Sequence, residues 1–160
     1  MIERLTAKNP NLQIVFTVSP VRHLRDGAHQ NQLSKATLLL AVNQLVEIFD
    51  NVHYFPSYEL LLDDLRDYRF YDADMCHPSA MAVDYIWQAM RDNCISQTDN
   101  ALIDSVMKFM TAANHRPMNP DTDEFRQFVE NQSEAVAEFA ARHPEIDLST
   151  EIEHWKNLEM

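Results

Sequence analysis

Apolar residues along the chain fall into two patterns: short unbroken runs, and longer stretches in which they return every three or four positions. Asn11–Leu–Gln–Ile–Val–Phe–Thr–Val18 is a run of the first kind. It is rich in β-branched residues and bounded by Asn9–Pro10 and Ser19–Pro20, which predicts a strand buried on both faces. Residues 22–32 are polar and read as a loop. From Leu33 the spacing changes, and Leu38, Val42, Leu45, Val46 and Phe49 form one helical stripe. Asn51–Val–His–Tyr–Phe55 is a second short strand closed by Pro56, after which Ser57 is placed to cap a helix through Leu60, Leu61 and Leu65. The order strand, helix, strand, helix implies parallel strands joined by crossovers, the signature of an α/β layered sheet.

Residues 68–74 form an irregular aromatic and acidic connection. Pro78 then suits the first turn of a helix whose stripe is Val83, Ile86, Trp87, Met90 and Cys94. Beyond Gln97 strand signals stop. Leu102, Val106, Phe109 and Met110 make one helical stripe, and Pro117 and Pro120 punctuate the chain. Asp121 with Glu124 gives a capping-box pattern for a helix carrying Phe125, Phe128, Val129, Val136 and Phe139. Pro144 breaks that helix, and Leu148, Ile152 and Trp155 predict a last short one. The expected organisation is an α/β part over residues 1–95 and a helical part over 96–160. Residues 1–7 read as a helix end feeding a buried-type strand. Two parallel strands alone make a weak sheet, so the α/β part resembles the second half of a larger layered domain.

Composition narrows the chemistry. The single glycine, Gly27, excludes glycine-rich phosphate loops, and two cysteines exclude a disulfide framework or a four-cysteine zinc site. The net charge is −12, of which −4 falls up to Pro117 and −8 from Met118 onward. So acidic a surface repels phosphate backbones and anionic lipid, and argues against nucleic-acid or membrane partners. The acidic tail retains helically spaced apolar residues, which favours a solvated helix face over a recognition tail. No apolar run approaches a membrane span, and no basic segment leads into an apolar one at the N-terminus, so a cytoplasmic location is expected.

The densest polar cluster is Tyr71–Asp–Ala–Asp–Met–Cys–His–Pro–Ser79. Asp74 and His77 are three apart, a spacing that in a turn lets the carboxylate accept a hydrogen bond from imidazole Nδ1–H. That bond fixes the tautomer, aims Nε2 outward and stabilises an imidazolium, as a general base for a hydroxyl nucleophile requires. The same residues also fit a simpler role, in which His77 caps the helix begun by Pro78 and Asp74 merely favours the positive helix end. The loop follows a parallel strand unit, where ligand sites of open α/β sheets gather. Ser19, Arg22, His23, Arg25 and His29 follow the first strand at the same sheet edge, where they line a cleft or simply a solvated loop. A metal site using Asp72, Asp74, Cys76 and His77 is the rival chemistry, but its candidate ligands are crowded rather than spaced as in zinc motifs. Cys76 and Cys94 read as small buried fillers. No cofactor is expected. None of the eight serines sits in a nucleophile context; Ser34, Ser57, Ser96 and Ser149 read as caps or helix starts.

Four blocks carry a resemblance: Thr17–Val–Ser–Pro–Val–Arg–His–Leu–Arg–Asp–Gly27; Ser34–Lys–Ala36; Tyr54–Phe–Pro–Ser–Tyr–Glu59; and Asp67–Tyr–Arg–Phe–Tyr71 with Asp74–Met–Cys–His–Pro–Ser79. In this order they resemble the GSCFA-domain family, grouped with the SGNH (GDSL-type) hydrolases, over about residues 12–95. The resemblance implies a three-layer α/β/α flavodoxin-like fold with a helical C-terminal extension, and a site acting on an acyl or acetyl ester. The D-x-x-H-P block supplies the catalytic acid and base there, which carries over to Asp74 and His77. The nucleophilic serine of the Gly-Ser-Cys-Phe-Ala block and the oxyanion-hole glycine and asparagine have no counterparts here. The expectation is therefore the C-terminal portion of such a hydrolase, inactive alone and prone to self-association or to pairing with a missing N-terminal half. The alternative is a non-enzymatic interaction or structural module whose helices, 97–160, pack on a partner.

Overall fold

A computed structural model describes residues 1–114 and 121–158. Pro117 and Pro120 lie outside the described residues. The chain divides into two compact units, Met1–Cys94 and Ile95–Met160. The first is α/β. Helix α1 (Ile2–Lys8) leads into β1 (Ile14–Thr17), α2 (Ala28–Ile48) and β2 (Val52–Phe55). The two strands are parallel, with Ile14 opposite Val52 and Thr17 opposite Phe55. Among the described residues no third strand joins them.

This register puts Ile14, Phe16, Val52 and Tyr54 on one face and Val15, His53 and Phe55 on the other. Helix α2 packs along β2. Its inward residues are Asn31, Lys35, Leu39, Val42, Leu45 and Phe49. The expected stripe is thus only partly right: Leu38 and Val46 are exposed, and two polar residues begin the inward line. The helix also starts at Ala28, inside the segment read as a loop. Its amide ladder opens at Gly27, whose φ of 91° suits glycine and whose carbonyl accepts from the Asn31 amide. Strand β1 is not buried on both faces, because Val15 remains 41% exposed. Burial of a strand face depends on what covers it, which a local apolar run does not encode.

After β2 the backbone turns into α3 (Ser57–Glu59), which widens into π-helical turns over Leu60–Leu65 and stops at Arg66 in left-handed conformation. Ser57 is not the cap. It is the first residue of the helix, and its hydroxyl donates to the Val18 carbonyl and pairs with Thr17 Oγ1. A short 3₁₀ turn (Tyr68–Phe70) precedes α4 (Ala80–Cys94). Pro78 does not open α4 but pairs with Tyr71 in an isolated antiparallel bridge, and Ser79 holds the first turn through its carbonyl and hydroxyl. The inward side of α4 is Ala82, Ile86, Ala89 and Met90, while Val83, Trp87 and Cys94 are exposed. Cys94 is therefore no buried filler, and Cys76 is only half-buried. Leu61, Tyr71 and Ala82 form a small core beneath this region.

The second unit is helical: α5 (Gln97–Ala113), α6 (Asp123–Arg142) and α7 (Ser149–Leu158). Ser96 caps α5 by accepting from the Asp99 amide. Thr122 rather than Asp121 caps α6, accepting from the Phe125 amide. Helix α6 ends at Arg142 just before Pro144, and α7 starts at Ser149. Val129, Val136, Phe139, Leu148 and Trp155 are buried, with Phe109 edge-on to Phe139 and Phe128 edge-on to Trp155. No described helix is long and apolar enough to cross a membrane.

Candidate active site

The loop between the 3₁₀ turn and α4 is closed by its own backbone. The Asp72 amide donates to the His77 carbonyl (2.8 Å), the Met75 amide to the Asp72 carbonyl (2.9 Å), and the Ser79 amide to the Phe70 carbonyl (2.8 Å). Met75, at φ 58°, makes the tight reversal. This geometry gathers donors around one carboxylate. Asp74 Oδ1 accepts from the amides of Cys76 (2.8 Å) and His77 (2.9 Å), and Oδ2 meets His77 Nδ1 at 2.5 Å. The His77 amide, the His77 ring and the Cys76 amide together hold the Asp74 carboxyl down at about 2, so it is ionised throughout the neutral range.

His77 therefore does not cap α4, which begins three residues beyond it with its first turn held by Ser79, and the partners of Asp74 lie in the loop. When Nδ1–H is donated to Asp74, Nε2 carries the lone pair on the far side of the ring. The pair is open to solvent, the side chains being 63% (His77) and 50% (Asp74) exposed. Chemically, an oriented imidazole with an ionised partner can accept a proton from a hydroxyl or water and keep the resulting cation stabilised.

The segment after β1 is bound to this loop. The Arg22 amide donates to the Cys76 carbonyl (2.9 Å) and Arg22 Nη1 to the Met75 carbonyl (3.1 Å). The Arg22 guanidinium lies 3.9 Å from the Tyr71 ring centroid. Of the other candidates, Ser19 has other partners: its carbonyl accepts from Lys35 Nζ (2.5 Å) and its hydroxyl from the Val21 amide. His23 is fixed through its amide, which donates to Asn31 Oδ1 (2.9 Å), with its side chain exposed. Arg25 lies in the turn before α2 and His29 in the first turn of α2, both exposed and neither hydrogen-bonded to Asp74 or His77. Only Arg22 of this group is joined to the Asp74–His77 loop.

Residues not named from the sequence as site candidates do much of the positioning. Lys35 is buried, its ammonium held on the Ser19 carbonyl, and burial lowers its pKa. Asn31 sits one turn earlier on the same face, and Tyr71 provides the ring under Arg22. The signal was present for two of them: Asn31 and Lys35 continue, four residues apart, the inward line of Leu39 and Val42.

The model of the GSCFA family matches residues 1–90, and that of the GSCFA domain protein, C-terminal domain, matches residues 106–158. The chain belongs to the GSCFA family. No curated protein and no solved structure matches it. All four sequence blocks of the GSCFA resemblance fall within residues 1–90, and so does the Asp74–His77 loop. Within this GSCFA chain, no described serine hydroxyl is hydrogen-bonded to His77; Ser57 is committed to Val18 and Ser79 to the start of α4, while Ser34 lies inside α2 rather than at its end. Among the described residues no three His, Cys, Asp or Glu side chains converge to hold a metal ion.

Proposed function

We propose that the Met1–Cys94 unit carries the acid–base half of an SGNH-like ester hydrolase site acting on an acyl or acetyl ester. His77 is the general base, Asp74 orients it and stabilises its cation, and the nucleophile and oxyanion donors come from a polypeptide segment other than residues 1–160. The observation that carries this reading is the Asp74–His77 contact in a loop built to hold it. Chemistry supports the division of labour, since a base without its nucleophile loses most of a site's rate. The same reading gives the chain a partner in that missing half or in a second copy, through the open edges of the two-stranded sheet. A net charge of −12 disfavours nucleic acid and anionic membranes as partners. Two free thiols suit the reducing cytoplasm.

The test is hydrolysis of short-chain p-nitrophenyl esters by the chain alone and by the chain supplied with a Gly-Ser-Cys-Phe-Ala segment encoded next to it. The chain alone is expected to be no faster than buffer. The completed protein is expected to be active, and His77→Ala to lower kcat by about 10³-fold or more. Undiminished hydrolysis in His77→Ala overturns the assignment. A second reading, a non-enzymatic helical module, draws on Met107 and Met110, which α5 leaves exposed. It expects the completed protein to be inactive whatever stands at position 77.

A further inference from the structure

Arg22 is the one candidate cleft residue bonded to the Asp74–His77 loop, and its surroundings are unusual for so acidic a chain. Acidic residues outnumber Lys and Arg by 25 to 13, yet among the described residues no carboxylate pairs with Arg22. The half-buried guanidinium is held instead by aromatic faces and a carbonyl: Tyr71 at 3.9 Å, Tyr68 at 5.9 Å, and the Met75 oxygen at 3.1 Å on Nη1. These contacts restrict the group without neutralising it, and one carbonyl uses only one of its five donors.

Arg22 lines a cavity of about 210 Å³ together with Leu61, Leu62, Arg66, Asp67, Tyr68 and Tyr71. Asp67 is the only acid in its wall, and it is already occupied, accepting from the Arg69 amide (3.0 Å) and pairing with the Arg69 guanidinium (3.2 Å). Arg66 adds a second cation to the wall, where the π-helical turns end in left-handed backbone; its own partner Asp63 stands 3.9 Å away, both side chains being largely exposed. The Tyr71 hydroxyl is buried with no protein partner, an orphan donor on a ring that lines the same cavity. The cavity is thus small and holds two cations against one paired acid, and Arg22 in its wall bonds the carbonyls one and two residues before His77.

We infer that this cavity recognises an oxyanion, a carboxylate or phosphate group on the substrate, with Arg22 as its principal ligand and Arg66 as an auxiliary one. The identification of that anion as part of the ester substrate rests on the proposed hydrolase reading; the binding itself does not. A planar guanidinium with free N–H groups matches carboxylate and phosphate oxygens by geometry, and its pre-stacked position reduces the ordering needed on binding.

The experiment is an NMR titration of the full chain with succinate, with inorganic phosphate, and with neutral succinamide. Saturable shifts at Arg22 Nε–H and at the Tyr68 and Tyr71 amides are expected with an anion and not with succinamide; whichever anion binds tighter distinguishes a carboxylate from a phosphoryl substrate. Arg22→Met should weaken binding roughly tenfold or more, the loss of a charge-assisted contact, and Arg66→Gln two- to threefold. Equal shifts from succinamide, or unchanged anion affinity in an Arg22→Met variant whose Cys76 and His77 amides keep their native positions, overturn the inference. If Arg22→Met disturbs that loop, the anion-against-amide comparison in the unaltered chain and the Arg66→Gln variant decide alone. Because no step of the titration requires hydrolysis, an inactive protein that binds anions and an active one that does not are separate results.

Discussion

The units Met1–Cys94 and Ile95–Met160 treat their large apolar side chains in opposite ways. The C-terminal unit gathers its large side chains inward, enclosing Phe139, Leu148 and Trp155 among partly buried neighbours from α5, α6 and α7. The N-terminal unit buries a much smaller cluster around Leu61 and leaves Leu40, Ile48, Met81 and Val83 in solvent. Its ordered polar groups are the more elaborate: a carboxylate with three donors, a buried lysine on a carbonyl, and an arginine clamped by rings. In one unit order comes from packing. In the other, local order at the loop comes from directed hydrogen bonds, which is what a site needs, while the hydrophobic effect is left incompletely used.

Truncating the two cores is the strongest way to break this contrast. Trp155→Ala removes the largest enclosed side chain and should destabilise the helical unit by about 3–5 kcal/mol, and Leu61→Ala should cost about 2–3 kcal/mol in the other, measured by urea unfolding followed by circular dichroism. A larger loss from Leu61→Ala than from Trp155→Ala would reverse the ranking of the cores. A subtler effect should come from acid. The Asp74 carboxyl lies at about 2 instead of 3.8, so the loop's stabilisation is complete above pH 4 and disappears as pH falls through 2. The Cys76 and His77 amide resonances should therefore titrate with a midpoint near 2, and a midpoint near 4 would mean the loop is not held by that carboxylate. The smallest effect belongs to the outer surface of α2, where Leu40→Glu, at a side chain 67% exposed, should shift stability by no more than about 0.5 kcal/mol. A large loss there would show that the exposed leucines are covered in solution.

Elements whose type depends on local periodicity were legible. Both strands, the helix after each, and the three C-terminal helices follow from where apolar residues recur. The Asp74–His77 contact was legible for a similar reason, since three residues of turn suffice to join them. Helix starts were misplaced by a residue or two at Ser57, Pro78 and Asp121, because several neighbouring polar residues compete for the same amides and tertiary partners decide among them: Ser57 is drawn off by Val18, thirty-nine residues away. The Arg22 clamp was beyond local reading altogether, as its carbonyl partner lies fifty-three residues on. Face exposure was misjudged at Val15, Val83 and Trp87 for the same reason, since covering a face is a property of neighbours and not of the segment.

The two tryptophans fall one to each unit, Trp87 on α4 partly in water and Trp155 wholly enclosed. Each half of the chain therefore carries its own natural fluorophore in a different polarity, red-shifted and quenchable by iodide in one case, blue-shifted and shielded in the other. Emission spectra alone can follow the two halves separately, with no label attached.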